Sequence, residues 1–382
     1  MKLLVLAQVP PPYHGQSAMV RLLLDELGRP GQGFELYHVN LKLSENSNDV
    51  GRWRWKKIFP LLNACIKALS IRRKHGPMAL YYIPAPGVRG ALYRDWVVMA
   101  LCRSFFTKLI LHWHAVGLGH WLETKATTTE RRITRKLLGH ADLAIVLAKE
   151  VADDVAPLWP KRVTIVQNSL PESGVLPPAR RRNPEDPFEL LYVGLCSEEK
   201  GVFDTLEALS LLHARTPGSY RLTIAGKFDC PATENRFKER VKELASVVHF
   251  ASFADAEAKR RIYTKCDVLC FPTYYAQEGQ PLVLIEALAH DMPIITTRWR
   301  AIPSMLPRNY VWYVDPHRPD QVAEAVLNVR RSERPGGTLR EHYLLNFTPA
   351  QHASALKKAL QQLDAPTPGE LPLRSSKQSV SC

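Results

Sequence analysis

Between positions 50 and 94 this sequence has no acidic residue, although Arg52, Arg54, Lys56, Lys57, Lys67, Arg72, Arg73, Lys74, Arg89 and Arg94 all fall there. Other shortages narrow the possible functions. No apolar run approaches the roughly 18 residues that a membrane-spanning helix needs. The seven cysteines form no C-x-x-C pair, their number is odd, and no signal peptide is read ahead of them, so reduced thiols in a cytoplasmic protein are expected. No G-x-G-x-x-G follows a strand, which disfavours a dinucleotide oxidoreductase, and P-loop, H-E-x-x-H and G-x-S-x-G motifs are missing. An Asp-x-Asp pair, which would hold a divalent ion against a diphosphate, is missing as well.

What is present suits a globular chain of two domains: 382 residues, 46% hydrophobic and 23% charged. The net charge of +14 is concentrated in the acid-free stretch, where Trp53, Trp55, Ile58, Phe59, Leu61 and Leu62 are interleaved with the bases. Such a segment fits an anionic membrane surface or a lipid-diphosphate acceptor. Nucleic acid is the competing anion, but no recognised nucleic-acid module is visible and none is expected to bind. The remaining alternative is a solvated basic face on an ordinary helix pair.

The chain opens on a buried strand, Lys2–Ala7, and passes through a loop with three prolines and Gly15 into a helix with Ala18, Leu22, Leu23 and Leu27 on its apolar side. Gly15 lets a ligand or backbone come close. Further strands are read at 34–39, 79–83, 108–112, Leu143–Val146 and 163–166. Six strands joined by crossovers make a doubly wound parallel sheet. His112 and His114 stand where one strand ends; a metal pair there lacks a third ligand in a clear motif. Residues 167–187 are rich in proline and arginine without apolar period, as a hinge linker should be. A second sheet follows, with strands at 188–193, 220–225, 247–250, Val268–Phe271, 292–296 and 311–314. The expected organisation is an α/β first domain over 1–166, the hinge over 167–187, a second Rossmann-like domain over 188–345, a closing helix over 346–364 that crosses back to the first domain, and a disordered tail over 365–382.

The stretch 271–303 organises the rest. It reads strand, loop, helix, strand, which is a βαβ crossover, and the helix begins at the strand end where open α/β sheets bind ligands. Pro281 fits the first helical position. The amides of Gly279, Gln280, Leu282 and their neighbours would then face an anion, with phosphate the natural guest. Glu278 lies just before the helix and Glu286 about one and a half turns into it. A ligand with hydroxyls on both sides of a diphosphate suits two carboxylates so placed.

At these residues the chain resembles the family-four glycosyltransferases, retaining enzymes of the GT-B fold, whose signature is a Glu, seven residues and a second Glu, here within EGQPLVLIEALAHDMPIITT. The resemblance implies GT-B architecture, two doubly wound Rossmann-like domains facing a cleft. It implies that Glu278 holds donor-sugar hydroxyls, Glu286 the ribose, and Gly279, Gln280, Pro281 and Leu282 the rest of the donor. A histidine facing the sugar matches His114, and a glycine against the diphosphate or the acceptor matches Gly15. The family's second domain opens with glycine, arginine and a phosphate-binding lysine. Gly194 and Lys200 keep the spacing, but Leu195 stands at the arginine position, with Arg298, Lys227 or Arg300 as candidate substitutes. Residues 250–253 fall at the nucleobase slot without its usual glycine, and Ser304 stands where many relatives have glutamate.

The implied activity is metal-independent and cofactor-free transfer from a nucleotide sugar to a glycan or lipid-diphosphate acceptor. Glu278, Lys200 and His114 would be the catalytic residues, in a cytoplasmic protein making peripheral contact with the inner face of a membrane. Cleft closure about the linker is the expected motion. Alternatives are a GT-B nucleotide-sugar epimerase and a catalytically silent scaffold in a glycan-assembly complex.

Overall fold

A computed structural model describes residues 1–11, 15–41, 58–172, 183, 186–251, 256–332 and 337–363. The part of the basic stretch before 58, most of the expected linker, residues 252 and 253 of the expected nucleobase slot, and the tail from 364 lie outside the described residues.

The first sheet contains β1 (Lys2–Ala7), β2 (Glu35–Asn40), β3 (Ala79–Tyr82), β4 (Leu109–His112), β5 (Leu143–Val146) and β6 (Val163–Ile165), all parallel, in the order β2-β1-β3-β4-β5-β6. Its central strands are buried along their whole length, as a parallel sheet covered by helices on both faces requires. The covering helices are α1 (Gly15–Leu27), α2 (Ile58–His75), α3 (Arg89–Cys102), α4 (Leu118–Thr124) and α5 (Thr128–Leu138). The start of α5 carries a complete capping box, with Thr127 and Glu130 exchanging side-chain and backbone bonds.

The second sheet is also parallel and six-stranded, in the order β12-β11-β10-β7-β8-β9. Its elements are β7 (Phe188–Cys196), α6 (Val202–Arg215), β8 (Tyr220–Phe228), α7 (Pro231–Val241), β9 (Val248–Ala251), α8 (Ala256–Lys265), β10 (Val268–Phe271), α9 (Leu282–Ala289), β11 (Ile294–Thr297), α10 (Ile302–Met305), β12 (Tyr313–Val314) and α11 (Pro319–Arg331). Both strand orders reverse direction once, between β1 and β3 in the first sheet and between β7 and β10 in the second. Loops leaving the carboxyl ends at those two points diverge to opposite faces and leave a crevice for ligand. The two-sheet GT-B architecture expected from the sequence is the one observed.

Several boundaries differ from the expectation. Strands β7 and β8 run on to Cys196 and Phe228, three residues past the predicted ends, because Gly194 and Gly226 face each other in register and let the backbones stay paired. A Cβ on Gly226 would lie 2.0 Å from the carbonyl oxygen of Gly194, which explains why no side chain is found there. The 311–314 strand shrinks to two residues.

After α12 (Thr338–Asn346), the chain crosses back as α13 (Pro349–Gln361), where Thr348 caps the helix and Pro349 occupies a first-turn position that needs no amide. Leu356, Ala359 and Leu360 of α13 share a core with Leu3, Val5, Val20 and Leu23 of the first domain. The chain leaving the first sheet is held by the same region: Gln167 O bonds to His352 Nδ1 at 2.6 Å, and Leu170 N donates to Phe347 O at 3.1 Å. Among the described residues, six cysteines are free, and no helix is long and apolar enough to cross a membrane. Because Leu360 is fully buried against the first domain's core, Leu360→Ala should cost about 3 kcal/mol of stability. Equilibrium urea denaturation checks this, with the midpoint falling while the slope stays constant.

Candidate active site

The strand order of the second sheet brings together two residues 78 positions apart. Lys200 lies in the loop leaving β7 and Glu278 in the loop leaving β10, the two strands that flank the reversal. Lys200 Nζ is 2.5 Å from Glu278 Oε2, and both side chains are largely shielded from solvent. Thr273 Oγ1 donates to the same carboxylate oxygen at 3.1 Å. The ammonium also lies 4.5 Å from the centre of the Tyr275 ring, whose face attracts a cation. Burial raises the Tyr275 phenol above its ordinary pKa, with the Glu278 charge as a further cause.

The two loops are tied to each other before any ligand is considered. Tyr274 N donates to Glu199 O at 2.8 Å, and Thr273 Oγ1 reaches the same carbonyl at 3.3 Å. Their contact requires glycine at 201: its φ is +80°, and a Cβ there would lie 2.5 Å from Pro272 O.

Helix α9 starts at Leu282, not at Pro281. Pro281 is the N-cap, with an extended ψ of 120°, and no side chain caps the first turn. The delay has a visible cause. Gln280 is held on both its polar ends to the segment leaving the first sheet, Asn168 N donating to its Oε1 at 2.8 Å and Asn168 Nδ2 to its carbonyl at 3.1 Å. The chain therefore stays extended through Pro281. Leu284 N is already engaged by Pro281 O, so Leu282 and Val283 supply the helix-start amides that precede the first helical bond.

The 275–282 loop also forms the seam with the first domain. Val116 N donates to Gln277 O at 3.4 Å. A Cβ on Gly279 would lie 2.6 Å from His114 O, and one on Gly15 would lie 3.5 Å from the Leu282 side chain. Gly15, His114, Lys200, Glu278, Gly279, Gln280, Pro281 and Leu282 are thus gathered at one junction. Gly194 lies within β7, two residues before its end, with φ +140° and Phe271 alongside. The His114 ring lies 4.2 Å from that of His112. His112 is fully buried and bonded to Tyr81, and burial together with its histidine neighbours pushes its pKa well below the ordinary value. It is neutral at pH 7.

Glu286 belongs to a separate cluster on the α8 side of α9. Tyr263 donates its hydroxyl to Glu286 Oε2 at 2.7 Å, Lys259 pairs with Oε1, and the Tyr263 ring stacks on His290. Burial, then the Glu286 charge, raises the Tyr263 phenol well above its usual pKa. Sequence reasoning missed Lys259, Tyr263, Thr273 and the Asn168–Gln280 pair. The one available signal was Lys259 and Tyr263 at i, i+4 on a helix.

Of the three cations considered as substitutes at the Leu195 position, Arg298 lies 4.0 Å from the Tyr313 ring and Arg300 donates to Ala276 O at 3.1 Å. Lys227 is exposed and stands in register with Leu195 on the neighbouring strand. In parallel register, paired side chains point to the same face. Ser304 is spent on Ala301 O, 2.9 Å away. Among the described residues no three His, Cys, Asp or Glu side chains gather as a metal site would need.

Residues 187–331, which span the second sheet and contain both glutamates and Lys200, match the family model Glycosyl transferases group 1. Over these residues the chain is similar to the group 1 glycosyltransferases. The chain is 26% identical over 216 residues to the glycogen synthase of Mycobacterium tuberculosis, covering 53% of this chain and 50% of that one. It is 26% identical over 147 residues to the amylovoran biosynthesis glycosyltransferase AmsK of Erwinia amylovora, covering 37% and 35%. The chain therefore spans about half the length, or less, of the curated relatives it matches.

Over the whole fold, it is similar to sucrose-phosphate synthase of Thermosynechococcus elongatus, with TM-score 0.73, 20% identity and coverage of 95% and 99%. It is also similar to Anabaena Alr3699/HepE solved in complex with UDP, with TM-score 0.66, 13% identity and coverage of 95% and 100%.

Removing the cation while leaving its buried partner tests the pair directly. Lys200→Met should destabilise the protein by about 3 kcal/mol at neutral pH. The double variant Lys200→Met/Glu278→Leu should recover most of that loss. Thermal or urea unfolding of the two variants supplies the comparison.

Proposed function

We propose that this protein transfers a glycosyl group from a nucleoside-diphosphate sugar to a glycan or lipid-linked glycan precursor, with retention of anomeric configuration and without a metal ion. The observation that carries this reading is the Lys200–Glu278 pair at the strand reversal, beside the uncapped start of α9. A diphosphate entering there competes for Lys200 and meets the amides of Leu282 and Val283. As Lys200 turns to the phosphates, the Glu278 carboxylate is released to accept hydrogen bonds from sugar hydroxyls. The two groups thus exchange a partner for one another for partners on the substrate.

Departure of the nucleoside diphosphate is the step that builds negative charge. Fixed amides and an ammonium in a shielded site stabilise it most. His114, on the first domain's side of the seam, is the group we assign to the sugar. Glu286 binds the ribose in exchange for one of its two present partners, and Lys227 supplies the second cation beside Leu195. The absence of Asp-x-Asp from the sequence supports metal independence. Since the attack has no obvious protein nucleophile, the acceptor approaches on the same face as the leaving group, assisted by the departing phosphate.

The donor class is supported by the solved complexes of HepE with UDP and with UDP-glucose. The acceptor class is supported by the name of AmsK and by the basic first domain. A silent scaffold is favoured by two observations only, the exposed Leu195 and the engaged Ser304.

Incubation with a panel of UDP- and GDP-sugars and lipid-diphosphate acceptors, read by nucleotide release, decides between them. Transfer by the wild type is expected. Lys200→Ala and Glu278→Ala should each lower kcat/KM by roughly two to three orders of magnitude. Unchanged rates in both variants would remove the assigned roles, and an inverted product by NMR would remove retention. Glu286→Ala should act mainly on the donor KM, raising it by about tenfold with kcat little changed.

A further inference from the structure

Helix α2 presents an apolar ridge to solvent. Phe59, Leu62 and Ile66 recur at three- and four-residue spacing on its outer face, with Phe59 80% and Ile66 65% exposed. Phe105, 55% exposed, is brought beside the end of the helix by the bond from Arg72 Nε to its carbonyl oxygen, 2.7 Å long. On the same outer face, Lys67, Arg73 and Lys74 continue the ridge, so the helix is apolar toward its start and basic toward its end. From Phe59 to Lys74 this face runs about 22 Å.

Among the described residues of α2 this outer face carries no acid, and Glu35, near His75 at the helix end, is paired with Lys2. The acidic residue next in sequence, Asp95, is fully buried and turned inward to Tyr82 Oη and Ala85 N, each at 2.6 Å. Exposed apolar side chains of this size, grouped and rimmed by one sign of charge, mark an interaction surface. The charged side chains described on this face of α2 are cationic, and an apolar ridge flanked by lysine and arginine is the pattern of a helix lying in a lipid interface. A nucleic-acid surface would instead offer ring faces for stacking along a basic groove.

We propose that α2, with Phe105, docks the protein onto an anionic lipid surface. This deepens the proposed transfer to a lipid-linked acceptor and, in naming a membrane as the partner, rests on it. The orientation follows from the fold. Lys2 Nζ donates to His75 O at 2.8 Å, which pins the basic end of α2 at the starting edge of β1. The apolar end therefore lies at the opposite edge, where the strand carboxyl ends open toward the crevice. Docked this way, the helix inserts its hydrocarbon ridge near the mouth of the cleft and keeps its cations on headgroup phosphates farther out.

The test is flotation of the full chain with vesicles of phosphatidylcholine alone or with phosphatidylglycerol added, at low and high salt. The wild type should float with the anionic vesicles and lose that binding as salt rises. Phe59→Ser/Ile66→Ser should weaken partitioning by at least about tenfold. Lys67→Gln/Arg73→Gln/Lys74→Gln should weaken it by roughly fivefold per cation and abolish the preference for anionic lipid. Both sets of substitutions are at exposed positions, so wild-type melting curves and wild-type nucleotide release without vesicles are expected of both.

Failure of the wild type to bind anionic vesicles, or equal binding by the serine variant, would overturn the proposal. So would a dimer in sedimentation that the serine variant dissociates, because the ridge would then belong to a second copy. Vesicle binding without any nucleotide release would uphold the docking face and sink the transferase reading alone.

Discussion

A lysine and a glutamate held out of water at a strand reversal govern how the second domain is arranged. Burying two charges carries a desolvation cost that only close mutual contact offsets. Lys200 and Glu278 must therefore stay together, and the loops carrying them are tied by Thr273, Tyr274 and the Glu199 carbonyl. Everything at the crevice takes its position from that tie. Gly201 has to be glycine because the β10 loop passes over it, and the Tyr275 ring lies under the ammonium because the loop turns there.

The seam between domains follows from the same loop. After Glu278 the chain runs directly against the first domain, and Gln280 is anchored by both polar ends of Asn168. Asn168 itself sits where the chain leaves the first sheet, in a segment held by α12 and α13. A movement of one domain on the other thus passes through the residues that flank the carboxylate. Such a connection suits a cleft that closes on its substrate. None of these contacts involves α2.

Much of the fold was legible in residue order because the strands are short apolar runs separated by amphipathic helices, a pattern with few alternative packings. The Glu278 to Glu286 string was legible too, since its proline, its two acids and the following apolar strand lie within one crossover. The extended β7 and β8 were not, because a glycine in a strand reads locally as a loop. Only the pairing of Gly194 with Gly226 shows that both continue. The start of α9 was misread by one residue for a similar reason: Pro281 suits either the N-cap or the first turn, and Asn168, more than a hundred positions away, decides between them.

The sequence by itself determined the class of fold, the two-unit organisation and the stretch carrying the acids, since each depends on periodicity and on residues close along the chain. Tertiary structure alone decided which charges meet. Lys200 with Glu278 and Lys259 with Glu286 are contacts between different crossovers. No local pattern encodes such a meeting, because its partners are chosen by the strand order of the finished sheet.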